Sequence, residues 1–281
     1  MRIKLVAGFI ILMILVGYFQ FLYDSRINYF SERDTFVAIP PGKTLKILSF
    51  GYSNLVADML FIWSIQFYSS YYLSNRYDYI EHIFNTITDL TPQYEEPYIT
   101  GAWIMALEKT DYPMAIRLLE KGSRNNPQEY IFDYEAGYYA FQNLKDFELA
   151  ERFFKRAGEK PNAPQLIKRS RAHMVYMQDK LEYAWDLWMD MYRNARTQLE
   201  KDASFNHLYQ IKFEMDKKLL ESVVAQFKER FGRLPAQLDE LLEYGLLKAI
   251  PVDFAGRPYI YNPATGKIRA RKVYKWKKSL R

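Results

Sequence analysis

Cysteine is absent from the chain. That excludes disulfides, thiol catalysis and cysteine-based zinc or iron–sulfur sites together, although it selects no compartment. Histidine is nearly as scarce. His82, His173 and His207 lie far apart, and none has the close neighbours of a metal-binding HxxxH or HxxE motif. A metal centre would need ligands converging from separate helices, so no metal and no cofactor is expected. Glycine-rich phosphate loops are missing too. Gly51-Tyr52-Ser53 lacks the second glycine of a nucleophile elbow and has no predicted strand before it. A non-enzymatic role is expected, and no catalytic residue is assigned.

Charge is missing in two instructive places. The last fifteen residues, 267–281, hold eight Lys/Arg and no acid, against a formal net charge of +6 for the whole chain. The rest is therefore slightly acidic, and the protein reads as a near-neutral body with a basic tail: Lys267, Arg269, Arg271, Lys272, Lys275, Lys277, Lys278 and Arg281, interleaved with Tyr274 and Trp276. Such a tail suits an anionic lipid surface. Nucleic acid is the lesser partner for it, and a solvated terminus the plain alternative.

Residues 5–23 carry no charge at all, behind Arg2 and Lys4. Nineteen helical residues rise about 28 Å, close to the hydrocarbon thickness of a bilayer. A cleaved signal peptide would need small residues just past the apolar core. Here the core runs into Tyr18-Phe19-Gln20-Phe21-Leu22-Tyr23, which suits an uncleaved anchor with an interfacial aromatic belt. The lipid bilayer is thus an expected partner. The expected location is the inner membrane of a bacterium, single-pass, with the N-terminus cytoplasmic and the body periplasmic. Arg26 and Arg33 just beyond the span balance the two N-terminal charges, so the opposite orientation stays open.

Beyond a connector that contains Pro40-Pro41-Gly42, residues 51–68 are apolar on nearly all sides, which predicts a buried helix. Asp58, Ser64 and Gln66 argue against a second span. Asp58 falls early in this helix and is expected as a carboxylate eased by the helix N-terminus, with a functional role as the alternative. Gln66 is expected to bond an adjacent helix.

The strongest pattern is a repeat. Ala115, Ala150 and Ala184 lie 35 and 34 residues apart, each behind a turn carrying Asp111, Asp146 or Asp179. Leu119, Phe154 and Trp188 follow four residues later, then Gly122, Ala157 and Met191. Pro92, Pro127 and Pro161 stand where second helices should end. Aromatics make up 17% of the chain, enough to fill the seams of a stacked helical array. A period near 34 with small residues at helix crossings predicts stacked helical hairpins.

These residues resemble tetratricopeptide repeats, with Ala115, Ala150 and Ala184 at the small position of the second helix. The match covers 56–195 and is strongest over 93–127 and 128–161. The unit at 162–195 departs from it, with Met191 in place of a small residue and no closing proline. The resemblance implies an α-solenoid that binds a peptide or a helix of another protein along its first helices. Carried over by position, the groove residues are Thr100, Ile104, Leu107 and Glu108, then Glu135, Tyr139, Gln142 and Asn143, then Arg169, His173 and Tyr176. The pairs Gly101-Ala102 and Ala136-Gly137 would permit a one-residue shift of this set. Replacing Tyr139 and His173 is expected to weaken capture without unfolding the array.

A helical period over 203–231 predicts a helix capping the last repeat. After Gly232 comes a short helical stretch, then Pro251-Val252-Asp253-Phe254-Ala255-Gly256-Arg257-Pro258-Tyr259 and two short strand signals around Tyr259-Ile260-Tyr261 and Lys267-Ile268-Arg269. This string is similar to the C-terminal part of type II secretion pseudopilins. The prepilin motif is absent, with Met13 where its glutamate would stand, and the basic tail replaces the acidic calcium loop. A pilin subunit is therefore not implied.

The expected organisation is mainly α: an anchor at 1–23, a connector at 24–50, tetratricopeptide-like repeats at 51–195 and a capping helix at 196–231. A small α+β module with a β-hairpin follows at 232–270, then the basic tail at 271–281. The expected role is a membrane-anchored scaffold that assembles a bacterial envelope complex, of secretion or pilus type by the second resemblance. The alternative is a cytoplasm-facing adaptor whose tail binds anionic lipid or nucleic acid.

Overall fold

A computed structural model describes residues 12–19 and 34–271. Most of the expected anchor lies outside them, as do Lys272, Lys275, Lys277, Lys278 and Arg281 of the tail. Residues 12–19 form helix α1, with exposed side chains. Among the described residues, no helix is long and apolar enough to cross a membrane. The protein is mainly helical, with a small two-stranded antiparallel sheet near the C-terminus. It divides into two compact units, Met1–Asn126 and Pro127–Arg281.

The first unit is organised on α4 (Ile80–Leu90). Its residues Ile80, Ile83, Phe84, Ile87 and Leu90 recur at helical spacing and are all buried. Both α2 (Gly42–Leu48) and α3 (Ser53–Tyr68) pack against it. Gly42 allows the approach of α2, since a Cβ there would sit 2.4 Å from the Cβ of Asp89. The extended stretch before α2 is held by paired bonds between Thr35 and Asn75 and by His82, whose Nε2 lies 2.7 Å from the Ile39 carbonyl oxygen. Next come α5 (Glu95–Trp103), extended by a π-helical turn over Ile104–Glu108, and α6 (Tyr112–Asn125). Gly101 sits where α5 meets its neighbours. A Cβ there would lie 2.6 Å from the Phe84 ring and 2.8 Å from Leu118.

Helix α3 departs from the expected buried helix. Ala57, Ser64, Phe67 and Tyr68 are buried on its α4 side, while Leu55, Met59 and Ile62 face outward. The reason is geometric: packing against α4 covers one side of the cylinder, and an all-round apolar surface does not supply a second neighbour. Asp58 and Gln66 are exposed as well. Asp58 lines a shallow depression with Asn54, Thr91, Gln93 and Tyr94, so it is not a buried carboxylate. Burial, with the Asp58 charge adding, raises the Tyr94 hydroxyl pKa.

The second unit opens with α7 (Ile131–Tyr139), extended by a π-helical turn over Ala140–Leu144, and continues through α8 (Phe147–Gly158), α9 (Gln165–Met177) and α10 (Leu181–Arg193). Consecutive helices pack on each other. Ala115, Ala150 and Ala184 are each fully buried within their own units. Asp111 and Asp146 cap α6 and α8 by accepting from the amides of Met114 and Leu149. Asp179 does not repeat this role. It stands one residue further from its alanine, adopts φ 60°, and pairs with Lys218 at 2.6 Å.

That lysine belongs to α11 (Gln198–Phe231), whose 34 residues rise about 51 Å. A capping box between Thr197 and Glu200 starts it, and Gly232 in the left-handed region at φ 71° ends it. Its N-terminal part completes a core with Ala172, Val175, Leu181, Ala184 and Trp188. Its C-terminal part, through Leu220, Val223, Val224 and Phe227, forms a second core with α12 (Glu240–Glu243) and the hairpin of β1 (Ile260–Asn262) and β2 (Lys267–Arg269). In the hairpin Tyr261 stands opposite Ile268, and Ile268 points into that core.

Candidate interaction site

The π-helical turns determine how first-helix residues are presented. They close α5 and α7 at matching places, Ile104–Glu108 and Ala140–Leu144. A π turn carries one residue more than an α turn, so every later side chain rotates from its 3.6-residue position. The π turn therefore shifts Glu108 round from the α-helical face of Thr100. Thr100 and Ile104 are half-buried, whereas Glu108 is exposed and accepts from the Tyr77 hydroxyl at 2.6 Å. Trp103 and Leu107 are exposed on the same stretch.

In the second unit the expected groove set divides. Gln142 is half-buried and Asn143 exposed on the π turn, and Glu135 is half-buried. Tyr139, at 3% exposure, is a packing residue rather than one offered to a ligand. Its neighbour Tyr138 is exposed instead.

Arg169, His173 and Tyr176 stand on the face of α9 that α11 covers. The Tyr176 hydroxyl donates to Glu214 and accepts from the Gln210 side chain at 2.8 Å. Burial, with the Glu214 carboxylate adding, raises the Tyr176 pKa. His173 is edge-on to Phe141 and stacked on Tyr176, and burial lowers its pKa. His207 of α11 stacks on Trp188 with ring centroids 3.6 Å apart. Burial, with His173 and the Arg169 guanidinium adding, pushes the His207 imidazole down to about 2. Glu200, His207, Gln210 and Glu214 follow helical spacing along one face of α11. On the face that the resemblance assigns to a foreign peptide, the chain's own helix bonds Tyr176, and Arg169, His173 and Tyr176 are half-buried. His173 and Tyr139 both pack within the chain, so their replacement is not a clean test of capture.

A second polar cluster joins α11 to the C-terminal loop. Asp253 accepts from the amides of Ala255 and Arg257 at 2.9 Å, from the Tyr209 hydroxyl at 2.7 Å and from the Arg257 guanidinium at 3.1 Å. Burial alone would raise its pKa, but these bonds and the arginine charge outweigh burial and hold the carboxyl low. Asp216 accepts from the Tyr259 hydroxyl and pairs with Lys212 at 2.8 Å. Beside this cluster, Phe254 lies against the rings of Trp185, Tyr192 and Phe205. Asp253 and Tyr259 of the P-x-D-x-x-G-x-P-Y segment thus fasten the module to α11, and Phe254 fastens it to α10 and α11.

Sequence inspection missed the ion cluster on Asp133. This carboxylate is 1% exposed on α7 and meets Arg156 and Lys160 at 2.7 Å each. The available signal was an acid flanked by aromatics early in α7, with cations recurring near the end of α8. In the first unit Lys121 performs a similar task, binding Thr88 at 2.8 Å and Asp89 at 2.6 Å.

Two adjoining clefts complete the second unit. One of about 320 Å³ lies among Phe154, Lys168, Arg171, Leu187 and Met191, and one of about 230 Å³ among Lys168, Arg169, Asp190, Arg196 and Glu200. Met191, which replaces the small residue of the repeat, lines both. Among the described residues there is no group of three or more acidic or histidine side chains placed to hold a metal ion. No family model matches the sequence, and no curated protein matches it.

Proposed function

We propose that this chain is a membrane-anchored scaffold of the tetratricopeptide type that binds another protein. In this reading residues 5–23 cross the inner membrane with the N-terminus in the cytoplasm, and the body serves the assembly of an envelope complex. The observation that carries it is the recurrence of Ala115, Ala150 and Ala184, each fully buried in a helical hairpin whose length repeats near 34 residues. Arrays of this kind expose rows of side chains to partners far more often than they form enclosed reaction sites.

Support for a binding surface is strongest on the first-helix ends. Trp103 and Leu107 are exposed beside Ile104 and Glu108 in the first unit. Tyr138 and Leu144 are exposed beside Gln142 and Asn143 in the second. Large apolar side chains set among polar ones suit an extended peptide or an amphipathic helix. Arg169, His173 and Tyr176 are engaged by α11, so the partner is assigned to the earlier hairpins.

The test places a photo-crosslinking amino acid at Leu107 or at Asn143 in cells, with Lys168 as a control. A defined envelope protein crosslinked from the first two positions and not from the third is expected. Loss of any position-dependent adduct would remove the scaffold reading. Alkaline phosphatase fused after Arg281 should be active if the body is periplasmic. An inactive fusion, paired with an active cytoplasmic reporter, would favour the cytoplasm-facing adaptor with its lipid-binding tail.

A further inference from the structure

Helix α3 presents an apolar face that its own fold leaves open. Leu55, Met59 and Ile62 recur at helical spacing, and Met59 and Ile62 are 63% and 61% exposed. Tyr52 and Trp63 flank them. The turn leading into α3 continues the pattern. Phe50 is 87% exposed and holds φ 48°, the left-handed region that a bulky residue rarely enters. Ile47 and Leu48, at the end of α2, are exposed as well. An aromatic ring placed in water by an unfavourable backbone conformation is not explained by packing within the unit. Soluble monomers rarely carry apolar patches of this extent without a partner.

We propose that the α2–α3 turn and the outward face of α3 dock in the plane of the bilayer surface, with Phe50, Leu55, Met59 and Ile62 at the headgroup–acyl boundary. The proposal rests on the anchored reading of residues 5–23. Three observations favour lipid as the occupant. Residues 35–63 contain Lys43 and Lys46 against the single acid Asp58, a positive balance that suits an anionic leaflet. Tyr52 and Trp63 have the amphipathic rings that settle at headgroup level. Only ten residues, 24–33, separate the uncharged run from Asp34, a reach of at most about 35 Å. The segment after Asp34 is bonded to the body of the first unit through Thr35 and Ile39. An anchor at that distance keeps the bilayer at high effective concentration, so even a small patch remains engaged. Exposed Asp58 and Asn54 border the patch, which favours a helix lying in the interface over one crossing it.

The absence of cysteine makes the test direct. Single variants Met59→Cys, Ile62→Cys, Gln93→Cys and Ile14→Cys of the full chain are spin-labelled and reconstituted in vesicles of phosphatidylcholine and phosphatidylglycerol. Accessibility to oxygen and to a water-soluble nickel chelate is then compared. Docking requires labels at 59 and 62 whose oxygen-to-nickel ratio exceeds that at Gln93 several-fold. Equal ratios at the three positions overturn the proposal. So does shielding of 59 and 62 from both reagents, which would mean that a protein covers the face. The label at Ile14 separates the two failures. If it is lipid-like while 59 and 62 are not, the docking fails and the anchor stands; if it is water-like, the anchored reading fails and the tether goes with it. Met59 and Ile62 are exposed, so their replacement leaves the core intact, and Ile62→Glu in the Met59→Cys background should lower the ratio at 59.

Discussion

The Tyr176 hydroxyl donates to the Glu214 carboxylate, joining α9 to α11 across the face where a repeat protein would hold its ligand. The capping helix is therefore more than a lid on the last hairpin. It bonds Tyr176, one of the expected ligand positions, and stands close to His173 through His207.

This bond should be measurable as a coupling. Tyr176→Phe and Glu214→Gln are each expected to cost about 1 to 3 kcal/mol, since a charged acceptor is involved and the surroundings are partly buried. In a double-mutant cycle by urea unfolding, the pair should lose less than the sum of the two single changes. Strict additivity would mean that the two groups meet without stabilising each other.

Acid should weaken the second unit. Burial lowers the pKa of both His173 and His207, and the latter stays neutral down to about pH 2. The unfolded chain binds protons near the ordinary histidine value of about 6.5, and the folded chain only well below it. Stability from this source is thus complete above about pH 6.5 and is lost progressively as pH falls from there towards the lowered folded-state values. Each suppressed proton contributes about 1.4 kcal/mol per pH unit in that window. The urea midpoint should drop on going from about pH 7 to about pH 5, and His207→Gln should flatten the slope. A midpoint unchanged over that range would contradict the assignment.

Asp253 holds the C-terminal module in place. Asp253→Ala would take away the acceptor of the buried Tyr209 O–H and part the Arg257 guanidinium from its carboxylate, at about 2 to 4 kcal/mol. Trypsin should then cut at Lys267 or Arg269 much faster than in the unaltered chain, with α11 still helical by circular dichroism. Equal resistance of the two proteins would show that the contacts of Phe254 suffice alone.

Gly101 tests the tight crossing in the first unit. A valine there would drive its side chain into Phe84 and Leu118, both within 2.8 Å of the Cβ position. Gly101→Val is expected to lower stability by about 1 to 3 kcal/mol, or more if α5 separates from α4. A variant as stable as the parent would mean that the helices part at little cost.

Local signals were legible where they act within one turn of chain. The helical class and the terminal β-hairpin follow from apolar periodicity and from the Asn262–Gly266 turn chemistry. Asp111 and Asp146 precede their helices at the spacing that makes them caps. The extra residue between Asp179 and Ala184 is visible in sequence, but its consequence, a free carboxylate for Lys218, is not.

Residue order alone marked the capped helix starts at Asp111 and Asp146, the small side chains of Ala115, Ala150 and Ala184, and the uncharged stretches, while helix α2 inside the expected connector left no such mark. Those properties depend on neighbours a few positions apart. Tertiary structure decided which face each helix shows. The π turns rotate Glu108 and Asn143 off the extrapolated 3.6-residue face, α11 folds back over Tyr176, and α3 packs on one side only. Each of these depends on segments distant along the chain competing for the same apolar surface, and periodicity within one helix records its hydrophobic stripe without recording what will cover it.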